Sequence, residues 1–352
     1  PDPNVALISS NKGRDHTGIY LYDVRAKKIL EPAFEHKLFS ASDARLSRDP
    51  KDFGRILGFN YNADTQRTYW VDDTLAAIDQ GLNNALNVKQ IKTPWTDTAT
   101  GHTASFTMGD GASAKIVSWS DDRRQVVVEK SGPQQPAEYY LLTDGSKLQL
   151  LGRARPDIDR SILGESRLVQ YPARDGLMIP GFLHTPSKSM YGAGPYPTII
   201  LPHGGPWARD DYDWDIIGWV PFLVSRGYAV LQPQYRGSDG WGQKLWRAGD
   251  EQWGLKMQDD LNDAVTWLAK EGIADPKRVC ITGGSYGGYA AMRAAQRDGA
   301  IYRCAVSFAG VSDLGRMKRY DSRFLGGEAT ITTQVDLEPV YTPADDPWMA
   351  SV

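Results

Sequence analysis

A doubly wound α/β fold, with a mostly parallel sheet covered on both faces and a strand-rich unit ahead of it, is what this sequence predicts. Three observations predict it. Beyond about residue 166, short apolar runs alternate with stretches of helical period. The turn Gly283-Gly284-Ser285-Tyr286-Gly287 sits between one such strand and one such helix. Residues 1–160 hold strand-like runs separated by turns, with no convincing helical period.

Size and charge bound the reading. The 352 residues exceed one ordinary domain, so two are expected, 1–160 and 161–352. Hydrophobic content of 41% and charged content of 24% fit a globular protein rather than a disordered one. A formal net charge of −3 gives no electrostatic case for nucleic acid or an anionic membrane. No apolar run is long enough to span a bilayer. Compartment and oligomeric state, a homo-oligomer included, are not readable from these residues. Cys280 and Cys304 lie in apolar runs that read as buried strands, so two small buried thiols are expected. Neither has metal-ligand spacing.

In the first unit the strand-like runs are 5–8, 18–22, 68–71, 115–119, 125–128 and 139–142. Ile19 to Asp23 and Tyr139 to Asp144 read as variants of one unit, an aromatic strand closed by an acidic turn. Such recurrence suggests propeller blades. Residues 74–86 read as a short helix or an insertion. After a linker at about 157–164, residues 169–183 read as a hairpin. Then come a strand at 198–201, a helix at 216–225 closed by Gly227, and a strand at 228–231. A helix follows at 259–270, with Leu261, Ala264, Val265 and Leu268 on one face. Strands at 278–281 and 305–308 flank the helix after Ser285. Residues 314–324 read as helical or irregular, and 330–352 carry no strong strand.

The chemistry centres on Ser285. Glycines at 283 and 287 let strand and helix backbones pass too close for a Cβ. A sharp turn there lifts the serine hydroxyl above the sheet at a helix N-terminus. The backbone N–H of Tyr286 is then placed to stabilise an oxyanion. Pro202-His203-Gly204-Gly205-Pro206 follows a strand directly, and Gly205 is the candidate second oxyanion donor. His203 is read as shaping that loop or touching substrate rather than as the base, because in this architecture the base follows the serine. The rim also carries Tyr235, Arg236, Gly237 and Ser238, with Arg236 either pinned to a carboxylate or contacting substrate. Trp207, Trp214, Trp219, Trp241, Trp246 and Trp253 divide between core, pocket wall and the neighbouring unit. Asp210, Asp211, Asp213 and Asp215 read as a solvated loop, since no His or Cys is interleaved.

Taken together, Ala173-Arg174-Asp175-Gly176, His203-Gly204-Gly205-Pro206, Tyr235-Arg236-Gly237-Ser238 and Gly283 to Tyr289 resemble, in order and spacing, the prolyl oligopeptidase family of serine peptidases, in its acylaminoacyl-peptidase and dipeptidyl-peptidase branch. The resemblance covers about 169–314. It implies an α/β-hydrolase catalytic domain, here C-terminally incomplete, preceded by part of a β-propeller. It implies Ser285 as nucleophile, the Tyr286 and Gly205 N–H groups as oxyanion donors, and no metal or organic cofactor. His203 stands where other branches place a tyrosine that helps bind the oxyanion, which implies an auxiliary role there. The implied substrates are short peptides or acyl-peptides.

One departure matters. All five histidines, at 16, 36, 102, 184 and 203, precede Ser285, and after it the chain offers Asp298, Asp313, Asp321, Asp336, Asp345 and Asp346 but no histidine. The expected order is Ser, Asp, His. A chain truncated at both ends, with the triad Asp and His outside it and little turnover alone, is therefore expected. Two alternatives accompany the peptidase reading: a carboxylesterase on the same fold, and a non-catalytic propeller binding module with an inactive hydrolase domain.

Overall fold

The computed structural model describes residues 3–317 and 319. Its first 153 residues form small antiparallel sheets. Strands β1 (Val5–Ser10), β2 (Gly18–Asp23) and β3 (Lys28–Phe34) make one sheet. A second holds β4 (Ser40–Leu46), β5 (Ile56–Asn62) and β6 (Gln66–Trp70). Helix α1 (Asp73–Ala85) follows, started by Asp72, whose side chain accepts the Leu75 N–H. Strands β7 (Gln90–Thr96) and β8 (Thr103–Gly109) pair alone, and β9 (Ser113–Trp119), β10 (Gln125–Gly132), β11 (Gln135–Thr143) and β12 (Lys147–Arg153) form a four-stranded meander. The two aromatic strands read as one unit are equivalent here. β2 and β11 are each hairpinned to the last strand of their sheet.

The second half is organised by one six-stranded sheet, ordered β13-β14-β16-β15-β17-β18. Its strands are β13 (Glu165–Pro172), β14 (Met178–Thr185), β15 (Tyr196–Ile200), β16 (Ala229–Pro233), β17 (Ala274–Gly284) and β18 (Cys304–Phe308). The first two form the expected hairpin, and the pairings β15–β16, β15–β17 and β17–β18 are parallel. The helices are α2 (Lys188–Tyr191), α3 (Trp219–Val224), α4 (Gln243–Arg247), α5 (Lys256–Lys270) and α6 (Tyr286–Arg297). Helix α5 buries Met257, Leu261, Ala264, Val265 and Leu268, a stripe of helical period, and ends at Gly272 with φ +70°, a left-handed residue that glycine adopts without strain. No helix of the described residues is long and apolar enough to cross a membrane.

The halves share a core. Phe39, Trp95 and Met108 lie in one buried cluster with Phe182, Tyr212, Leu231 and Trp241. Trp241 is 1% exposed and stacks on Trp95, with ring centroids 5.2 Å apart, while the Arg209 guanidinium lies over its ring, 4.3 Å from the centroid. Gln170 exchanges two hydrogen bonds with the Thr96 backbone across the same seam.

Three expectations need correction. Cys280 and Cys304 are not buried thiols but a disulfide, because they face each other in the parallel register of β17 and β18 with Cα atoms 4.8 Å apart. Nor is β18 a buried strand, since Val306 and Phe308 are exposed. The acidic run is not a solvated loop either. Asp210 pairs with Gln234, Asp211 with Arg209, and Asp213 with Lys115 of β9, while Asp215 accepts the Val220 N–H. Burial pushes the Asp210 carboxyl up to about 7. The residue types suggested solvent, but the loop folds onto its own half through Gln234, Arg209 and Val220, and Asp213 reaches Lys115 of the first half. Of the expected helix at 314–324, residues 314–317 are helical, and the reading of 330–352 lies outside the described residues.

Candidate active site

Strand β17 runs to Gly284, and α6 begins at Tyr286, so Ser285 is the entire turn between them. Its backbone has φ +56° and ψ −118°, a conformation that L-residues avoid. Packing enforces it. A Cβ on Gly283 would lie 2.6 Å from the backbone of Gly287, and one on Gly287 would lie 2.1 Å from the carbonyl oxygen of Pro202. The Ser285 N–H donates to Phe308 O at 3.0 Å, and its carbonyl accepts from Tyr289 N–H at 3.0 Å, so the turn is fixed from both sides. Ser285 is exposed while Tyr286, Gly287 and Gly288 behind it are buried. As the first helical residue, Tyr286 has no intrahelical acceptor for its N–H. Its ring is buried against Trp253 and Tyr235.

The loop after β15 lies against this turn. A Cβ on Gly204 would sit 3.3 Å from Ser285 Cβ and 3.8 Å from Oγ, so this loop residue packs directly against the serine, and a side chain there would have to push it by a few tenths of an ångström. Gly205 is exposed with φ +116°. His203 sits behind the loop, stacked on Tyr235 at 4.5 Å. Its Nδ1 lies 2.7 Å from Gly204 O and its Nε2 2.8 Å from Ser238 Oγ, while the Tyr235 hydroxyl donates to His203 O at 2.8 Å. Both ring nitrogens are thus engaged away from Ser285. Burial lowers the imidazole pKa to about 4, so it is neutral at pH 7.

The rim is braced by Arg236, 3% exposed, which reaches Asp260 on α5 and Asp175 at the hairpin tip. Burial opposes its charge, but the two carboxylates outweigh burial and raise the guanidinium pKa. Hydrogen bonds from Arg236 hold the Asp175 carboxyl down to about 2. Of the two readings of Arg236, the carboxylate anchor is the one observed. Trp253 is buried under the elbow and Trp207 is exposed beside Gly205. Sequence reasoning gave no role to Ser238 or Tyr235. Their position just after a strand end, on the loop facing His203, was the available signal.

The one group among the described residues that could hold a metal ion is Asp15, His16 and Asp97. There His16 Nε2 bonds Asp97 at 3.0 Å, and Asp15 accepts the Lys244 N–H of α4, so the trio ties the first half to the second.

A serine held at positive φ between a parallel strand and a helix, beside a glycine loop, defines the class: an α/β-hydrolase fold with a nucleophile elbow. Residues 214–341 match the prolyl oligopeptidase family, and the chain belongs to that family. Dipeptidyl aminopeptidase BIII of Pseudoxanthomonas mexicana is 32% identical over 257 residues, covering 70% of this chain and 37% of that protein. The acylamino-acid-releasing enzyme of Sus scrofa is 31% identical over 209 residues, 55% of this chain and 27% of the enzyme. The chain therefore spans about a third of the length of these relatives. Among solved structures, a puromycin-hydrolyzing peptidase of Mycobacterium tuberculosis superposes with a TM-score of 0.65 at 19% identity, over 98% of this chain and 49% of that one. An acylaminoacyl peptidase of Pyrococcus horikoshii gives 0.60 at 19%, over 98% and 50%. These likenesses show the fold, an α/β-hydrolase unit preceded by part of a β-propeller.

Proposed function

We propose that the protein is a serine peptidase of short peptides or acyl-peptides, with residues 1–160 as the propeller part and 161–352 as the catalytic part. Ser285 Oγ attacks the scissile carbonyl carbon, and its proton passes to a base. The negative oxygen of the tetrahedral intermediate is held by the N–H groups of Tyr286 and Gly205. Collapse releases the amine, which takes up the proton, and leaves an acyl-serine that water hydrolyses by the same route. His203 is auxiliary: it is neutral, its nitrogens are engaged elsewhere, and it shapes the oxyanion loop. The base is a histidine outside this sequence, oriented by an aspartate.

The observation that carries the reading is Ser285 exposed at φ +56°, in a turn that only the glycines around it permit. The test is turnover of a peptidyl-nitroanilide by the full-length protein. Ser285→Ala is expected to lower kcat by about 10³-fold or more. Unchanged turnover would remove Ser285 from the mechanism. A faster rate on simple esters than on every peptide amide would turn the reading to an esterase.

A further inference from the structure

We infer that Ser238 is a positioning residue for the oxyanion loop: its hydroxyl fixes the tautomer of His203, and His203 in that tautomer sets the direction of the Gly205 N–H. The role rests on the reading of Gly205 as an oxyanion donor, but its first link can be tested without it.

The chain of contacts starts at Gly204 O, 2.7 Å from His203 Nδ1. A carbonyl oxygen can only accept, so the proton is on Nδ1. The neutral ring then presents a lone pair at Nε2. The group that meets it is Ser238 Oγ, 2.8 Å away on a residue that is 0% exposed. Ser238 therefore donates, and water has no access to take its place. The Tyr235 hydroxyl gives its proton to His203 O and lies 3.2 Å from Nδ1, so toward the ring its oxygen accepts a share of the Nδ1–H, while its ring supports the imidazole face. Burial keeps the ring uncharged, so a single proton is shared between two sites and the neighbours decide which holds it.

The consequence lies in the next peptide unit. Among the described residues the cis peptide bonds are Gly194–Pro195 and Gly205–Pro206, so Gly204–Gly205 is trans. In a trans peptide the C=O and the N–H point in opposite directions. Anchoring Gly204 O on the imidazole turns the Gly205 N–H to the side away from His203. Gly204 is also the loop residue that abuts Ser285. Without the Ser238 hydroxyl, a buried Nε2 is left unsatisfied. The alternative tautomer then becomes competitive, and it would set a bare Nδ1 lone pair against Gly204 O and rotate the peptide.

The experiment is long-range ¹H–¹⁵N NMR on the histidine-labelled chain, which has only five histidines to assign. His184 provides an internal contrast, because its Nε2 donates to Gln232 Oε1 and its Nδ1 receives the Ser166 hydroxyl. His203 is expected as Nδ1–H and His184 as Nε2–H. Ser238→Ala should convert His203 wholly or partly to Nε2–H, and Ser238→Thr, which keeps the hydroxyl, should restore Nδ1–H. In the full-length protein, Ser238→Ala should lower kcat about 10- to 100-fold, below the loss of a whole oxyanion donor, with KM within about twofold. An Nε2–H signal for His203 in the wild type would overturn the inference, and so would a tautomer unmoved by Ser238→Ala. A raised KM with unchanged kcat would overturn the link to Gly205. If instead Ser285→Ala leaves turnover intact, the peptidase reading fails while the tautomer result still stands or falls by itself.

Discussion

The two halves solve the problem of burying a core in opposite ways. Before residue 154, every strand pairs with a chain neighbour, in small antiparallel sheets with cores of their own. After residue 164, the central pairings join strands distant in sequence, as β15 with β17, and the core is large and continuous. Several first-half aromatics belong to that large core rather than to their own sheets. The difference teaches that the first half is locally specified but globally dependent. Its strands are set by hairpins, whereas its placement is set by the seam around Trp95 and Trp241.

Substitutions can break or sharpen this contrast. The largest effect is expected at Arg236, whose loss leaves Asp260 buried without its cation and Asp175 with only Lys256, at 3.5 Å. Arg236→Leu should cost about 4–5 kcal/mol, read by urea denaturation, and Arg236→Lys should recover only part because the fork geometry is lost. Next is the seam. Trp241→Ala should cost about 3–4 kcal/mol and should also separate the unfolding of the two halves in calorimetry. A single shared transition after that substitution would show that the seam is not what couples them. Third is the disulfide, which closes a 24-residue separation between β17 and β18. Reduction, or Cys280→Ser with Cys304→Ser, should cost about 2–3 kcal/mol and affect only the second half.

The smallest effect concerns pH. Burial lowers the His184 imidazole to about 4 in the folded chain, against an ordinary value near 6.5. The unfolded state therefore binds the extra proton more readily between these values. The stability that this buried neutral ring contributes is complete above pH 6.5 and is lost as pH falls towards 4. At pH 5 the penalty is of order 1–2 kcal/mol, and His184→Gln should flatten the fall of melting temperature between pH 7 and pH 5. An equal slope in that variant would assign the acid sensitivity to other groups.

Much of the second half was legible because its signals are local. The strand–turn–helix around Ser285 and the apolar stripe of α5 can be seen in consecutive residues. Strands β3, β4, β5, β7, β8 and β12 were not read: most are largely polar on one face, as in Lys28–Phe34 with its Pro32, and the apolar residues of the buried β5 are interrupted by Gly58 and Asn60. The disulfide depended on a register that only the folded sheet defines. The partner of Asp213 was hidden for the same reason, since Lys115 lies about a hundred residues away in the chain. In the site, Ser285, Gly205 and His203 stand out by motif. Ser238 lies in the motif from Tyr235 to Ser238, but nothing in that motif shows its hydrogen bond to His203, 35 residues away in the chain.

The left-handed backbone at Ser285 carries a cost that glycine would not bear. A Ser285→Gly chain is therefore expected to melt at a higher temperature than the natural one, even as it loses its hydroxyl. Selection for thermal robustness alone would not favour a serine on this backbone, so the strain at residue 285 is a cost that only a use for its side chain would offset.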